Sequence, residues 1–195
     1  MASGESDWKL QPDSEREEMN VNPMFDLYRI PEKDMPFIVL SDNMRSWIGS
    51  AIKKHESGGY NHLMYMVRPD HYVSQDFPLL KEVHFKKYSD GFRIKLWHNP
   101  SWTDEQKKAI IDEVNRRLKA NWYQRMYDPL QILGIKFGIR WLQIPGKSRI
   151  CSDHANILRM VDPNFNMPTG SGPQEINKYL ESNPCYEVYG RYMED

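Results

Sequence analysis

A cysteine with a histidine beside it can do covalent chemistry at a carbonyl carbon, and this chain has both residue types. The cysteines are Cys151 and Cys185. A thiol attacks only as the thiolate, so a nucleophilic cysteine needs a local positive potential to lower its pKa. Cys151 follows the polar loop Pro145-Gly-Lys-Ser148 and opens a stretch in which Ala155, Ile157, Leu158 and Val161 recur at helical spacing. The spacing predicts a cysteine on the first turn of a helix over Cys151 to Val161. Unpaired backbone N–H groups there carry partial positive charge, and those near Ser152 are placed to hold an oxyanion. The competing reading is a small buried hydrophobe, which most free cysteines are.

A thiolate needs an imidazole close by to take its proton and return one to the leaving group. Of the 6 histidines, His62 stands where a side chain can point from a rigid element into a cleft, directly after Gly58-Gly-Tyr-Asn61 and at the mouth of the apolar run ending at Val67. His154 lies on the same predicted helix as Cys151 and lacks such a support. A third group orients the imidazole in sites of this kind, and its natural source is the returning strand of the hairpin. Ser74 and Gln75 are the candidates, with His71 at the turn as a third option. Ser74 and Gln75 point to opposite faces by the period of two, so at most one serves.

These groups must be positioned by strands and helices whose signals are legible. Phe37 to Leu40 reads as a short strand, and Ser41 as the cap of a helix with Met44, Trp47, Ile48, Ala51 and Ile52 on one face. His62 to Val67 has the near-continuous apolarity of a strand covered on both sides, and Tyr72 to Gln75 returns antiparallel to it. Val83 to Lys87 and Phe92 to His98 flank Asp90-Gly91, a strong hairpin signal. Thr103 to Ala120 is the clearest helix, with Thr103 and Gln106 forming a capping box and Ile110, Ile111, Val114 and Leu118 its buried stripe. Its other face is basic, which usually means only that it is solvated. A helix from Pro173 to Glu181 and a strand from Cys185 to Tyr192 complete the chain. The expected class is α+β with a mainly antiparallel sheet flanked by helices.

The order of these features resembles the circularly permuted papain-like amidases of the YiiX/YaeF type, relatives of the NlpC-type cell-wall cysteine peptidases. Gly59-Tyr-Asn-His62-Leu-Met-Tyr matches the family's first motif and Ile150-Cys-Ser-Asp153 its second. Arg93-Ile-Lys-Leu-Trp97, Thr103-Asp-Glu-Gln106 and Tyr127-Asp128 fall between them, and Met167-Pro168 with Pro173 to Leu180 follows. The resemblance spans residues 36 to 192 and implies a circularly permuted papain-like fold, a Cys151 nucleophile and a His62 base. The family often carries an acidic or other polar group on the next strand, where this chain is read as offering Ser74 or Gln75. Asn61 stands where the family commonly has serine.

Composition narrows the partners. Lys and Arg total 26 against 27 Asp and Glu, so a net charge of -1 supplies no field to draw the chain onto nucleic acid. No apolar run reaches the roughly 20 residues of a membrane helix, and the first residues lack signal-peptide chemistry. The expectation is cytoplasmic synthesis, free thiols, and one domain over 34–195 behind an acidic arm, 1–33. That arm reads either as an unstructured leader or as a docking segment. The expected function is a thiol-dependent hydrolase that cleaves an amide or related acyl bond of a peptide or peptidoglycan-like substrate through a thioester, with no metal or cofactor. The alternative is a non-catalytic structural module of a bacterial or phage assembly, such as a virion component, and a lipid acyltransferase using the same dyad is a third reading.

Overall fold

Residues Phe37 to Leu40 are apolar in succession, which suits a strand only if both of its faces are covered. In the computed structural model all four side chains are wholly buried. The structure describes residues 30–43, 59–76, 78–84, 92–126, 154–168 and 171–192. Within them, β1 (Phe37–Asn43), β2 (His62–Arg68), β3 (His71–Gln75), β4 (Leu80–His84), β5 (Phe92–His98) and β6 (Glu187–Tyr192) form one antiparallel sheet in the order β4-β3-β2-β1-β5-β6. The helices are α1 (Asp104–Lys119), α2 (Trp122–Arg125), α3 (Ala155–Val161) and α4 (Pro173–Ser182). The class is α+β, as expected.

Alternation along the strands sorts the sheet into two cores. Ile38, Leu40, Leu63, Tyr65, Val73, Leu80 and Trp97 face the helices, packing with Ile110 and Val114 of α1, Ala155, Ile157 and Leu158 of α3, and Ile176 and Leu180 of α4. Phe37, Val39, Met64, Met66, Tyr72, Val83, Ile94 and Leu96 face the other way and pack with Ile30 and Met35. Each buried aliphatic side chain stabilises the fold by roughly 1.5–3 kcal/mol, so β1 and β2, apolar on both faces, anchor the molecule.

Two expectations are corrected. Ser41 is not a helix cap: it lies inside β1, paired with His62 on one side and Ile94 on the other. The ladder continues because both neighbours extend that far, and a strand in the middle of a sheet must satisfy the backbone groups on both of its edges. For the same reason β4 (Leu80–His84) and β5 are not paired with each other, against the hairpin expected around Asp90-Gly91. β5 is needed on the second edge of β1, while β4 pairs with β3 and starts at Leu80, ahead of the expected Val83. A turn signal is local, whereas the demand of a buried strand for two partners is not. The helix expected over 44–52, the expected strand's end at 85–87 and the turn at 88–91 lie outside the described residues, as do 1–29 of the arm. The last residues of that arm are docked: Ile30 is buried, and Lys107 Nζ donates to the Lys33 carbonyl.

Helix α1 has the capping box read from its sequence, with Thr103 Oγ1 accepting from Gln106 N and Gln106 Oε1 from Thr103 N. Gln106 Nε2 also donates to the Val161 carbonyl, tying the start of α1 to the end of α3. Five charges of α1 pair within the helix. Lys108 bonds Asp112, and Glu113 takes Arg116 and Arg117, which hold its carboxyl down at about 2. The buried carboxylate of Asp162 takes four donors: its Oδ2 accepts from Asn99 Nδ2 (3.0 Å), Trp102 Nε1 (2.6 Å) and Tyr186 OH (2.6 Å), and its Oδ1 from Asn164 N (2.8 Å). Burial pushes that carboxyl up, but the hydrogen bonds, Tyr186 first, outweigh it and hold the group below its ordinary value.

Candidate functional site

His62 is the first residue of β2, and the chain reaches it through three pinned residues. Gly59 N and Tyr60 N both donate to Gln174 Oε1, at 3.1 and 3.0 Å. Asn61 N donates to the Ser41 carbonyl (3.1 Å), and Asn61 Nδ2 to Asp42 Oδ1 (2.9 Å) in a buried pair. The imidazole therefore projects from a stiff base, as a strand opening after a fixed approach should provide.

Its partners come from β3. His62 Nε2 is 2.6 Å from Ser74 Oγ, Ser74 Oγ donates to Asp76 Oδ1 at 2.5 Å, and His62 Nε2 is itself 3.3 Å from that carboxylate oxygen. Lys81 Nζ lies 3.6 Å from the other oxygen, Asp76 Oδ2. A hydroxyl has one proton to give. Ser74 gives it to Asp76, so in the short contact to His62 the hydroxyl accepts and the ring donates from Nε2. The carboxylate at the far end of this chain stabilises the imidazolium that forms when Nδ1 takes up a proton.

Of the two residues read as candidate orienting groups, Ser74 meets His62 and Gln75 does not. Gln75 points to the helix side of the sheet, where its Nε2 donates to the Arg125 carbonyl (2.9 Å) and holds α2. His71 stands at the opposite end of β3, bonded through Nδ1 to Asp70 Oδ1 (2.6 Å) and edge-on to His84. The acid that completes the chain, Asp76, was missed in the sequence, and the reason is the register. Met64 pairs with Ser74 and Met66 with Tyr72, but Arg68 pairs with His71, so Val67 is the extra residue of a β-bulge. Continued from the turn without that bulge, the pairing would bring Gln75 and residue 77 onto the face of His62. With it, Ser74 and Asp76 are there. The sequence signal that was available was an acid one position beyond the strand.

The other half of the expected site is only partly described. Cys151 and Ser152, read as the nucleophile and the oxyanion position, lie outside the described residues. His154, next along, is 2% exposed, and its carbonyl accepts from Tyr65 OH at 2.9 Å. Its ring is 5.7 Å from that of Tyr65, and Nδ1 has no hydrogen-bond partner among the described residues. Burial, then the charges of Arg117 and His62, push its pKa down to about 3, so His154 is a neutral ring. The same burial pushes the Tyr65 phenol up. α3 and His154 lie on the side of the sheet that Leu63 and Tyr65 face, whereas His62 shares its face with Met64 and Ser74.

No protein-family model matches the chain, and no curated protein does either. The site thus stands on its geometry. Among the described residues no group of three His, Cys, Asp or Glu side chains is set to hold a metal ion, and no helix is long and apolar enough to cross a membrane.

Proposed function

We propose that the chain is a cysteine hydrolase of the permuted papain-like kind, cleaving an amide or related acyl bond of a peptide or peptidoglycan-like substrate. Cys151 attacks the carbonyl carbon, His62 Nδ1 takes the thiol proton and delivers it to the leaving amine, and first-turn amides near Ser152 hold the oxyanion. Water then releases the acyl group from sulfur, with His62 acting as base. The observation that carries this reading is the His62–Ser74–Asp76 chain. It fixes the ring as the Nε2–H tautomer and supplies the anion that a general base needs behind it.

The test is alkylation and turnover. Iodoacetamide at pH 6 should label Cys151 well ahead of Cys185, and Cys151→Ala should abolish amide hydrolysis with the fold intact. Equal and slow labelling of both thiols sinks the reading.

One observation favours the second reading, a non-catalytic module of a larger bacterial or phage assembly that keeps the papain-like shape. The helix that follows Cys151 in the sequence packs on the sheet face that His62 does not share, whereas the hydrolase reading requires the sulfur to meet the imidazole. A chain in which it does not would retain the hydrogen-bonded histidine and show neither selective labelling nor turnover.

A further inference from the structure

We propose that Gln174 is a positioning residue for His62, acting from α4 through the backbone of the loop that leads into β2. This deepens the hydrolase reading and rests on it for any effect on turnover, but not for the effect on the ring itself.

The side-chain carbonyl of Gln174 takes two consecutive amides, Gly59 N and Tyr60 N, across more than a hundred residues of sequence. Both are immediately upstream of Asn61, whose backbone and side chain are held by β1. A single acceptor that binds adjacent N–H groups fixes the plane between them, and hence the direction in which the chain enters the strand. The acceptor is itself fixed. Pro173 is buried at the first position of α4, and Glu175 Oε2 accepts from Gly172 N at 3.0 Å, so the first turn of this helix does not drift. A carbon at Gly59 in the Cβ position would sit 3.8 Å from Gln174 Oε1, an ordinary contact, so the loop is held by hydrogen bonds rather than by crowding. From the first turn of α4, Gln174 thus takes both amides two and three residues ahead of the imidazole. Ring placement matters to a general base at the level of a single ångström, a shift of which can cost on the order of 10²-fold in rate.

The experiment compares the wild-type chain with Gln174→Leu, which keeps the volume and loses the acceptor, and with Gln174→Glu, which retains an acceptor oxygen at Oε1. The readout is the ring of His62 in long-range 15N–1H correlation spectra, assigned with a His62→Gln variant. Gln174→Leu should displace the His62 ring signals and mix its tautomers, while Gln174→Glu should restore a single Nε2–H form. With a substrate in hand, Gln174→Leu should lower kcat by on the order of tenfold with KM nearly unchanged. His62 signals in Gln174→Leu that superimpose on those of the wild type overturn the proposal, whether or not the melting temperature falls. So does a failure of Gln174→Glu to restore them. A wild type that responds in this way yet hydrolyses nothing refutes the hydrolase reading and leaves the positioning role standing.

Discussion

His62 and Asp76 lie opposite each other where β2 begins and β3 ends, with Nε2 of the one 3.3 Å from Oδ1 of the other and the Ser74 hydroxyl bonded to both. Ser74 can donate only once and bonds Asp76, so the ring donates to the hydroxyl from Nε2. Replacing Asp76 by Asn removes the anion and makes the direction ambiguous, so turnover should fall by on the order of 10²-fold. Replacing Ser74 by Ala should cost less, about tenfold, since His62 is already close to Asp76 and a small shift closes the gap. The comparison of kcat for the two variants checks this, and a Ser74→Ala loss that equals or exceeds the Asp76→Asn loss contradicts the arrangement.

The bulge at Val67 makes an unusual prediction about deletions. Removing Val67 joins Met66, paired with Tyr72, directly to Arg68, paired with His71, and leaves His62 opposite Asp76. The cost is the packing of one partly buried side chain, about 1–2 kcal/mol. Removing Val73 instead slips the register by one and turns Ser74 and Asp76 to the helix side, which should abolish folding or activity. Urea unfolding and turnover of the two deletion variants decide it: equal damage from both would show that the bulge does not set the pairing.

Stability should depend on pH through His154. Its folded pKa is depressed to about 3, against an ordinary value of 6.5, because the buried ring is penalised when charged. The unfolded chain therefore binds the proton more readily between those values. The contribution is fully present above pH 6.5 and is lost as the pH falls from there toward 3. Thermal melts of the wild type and of His154→Leu, followed across that range, should show the steeper decline in the wild type. Parallel curves would count against a neutral buried ring.

Asp162 is a structural carboxylate, and its removal should be severe. Asp162→Ala strands the donors of Asn99, Trp102 and Tyr186 in a buried place, at a cost of about 3–5 kcal/mol. Asp162→Asn keeps one acceptor oxygen and should cost roughly half as much. Urea titrations measure both, and a loss below about 1 kcal/mol for the alanine variant would mean that the three donors find other partners.

What the amino-acid order determined by itself was whatever depends on neighbours along the chain. The apolar run from His62 had to be a strand covered on both faces, and Thr103 with Gln106 had to start a helix, because periodicity and capping act over a few residues. His62 was likewise legible as a side chain at the mouth of a strand, and Ser74 as one of two possible partners. Tertiary structure alone decided the rest. A single bulge residue chose Ser74 over Gln75 and brought Asp76 under the imidazole. The need of β1 for partners on both edges set β5 beside it, while β4 paired with β3. Pairing register and strand order are settled by which faces can be buried together across the whole sheet, and that is a property no short stretch of sequence contains.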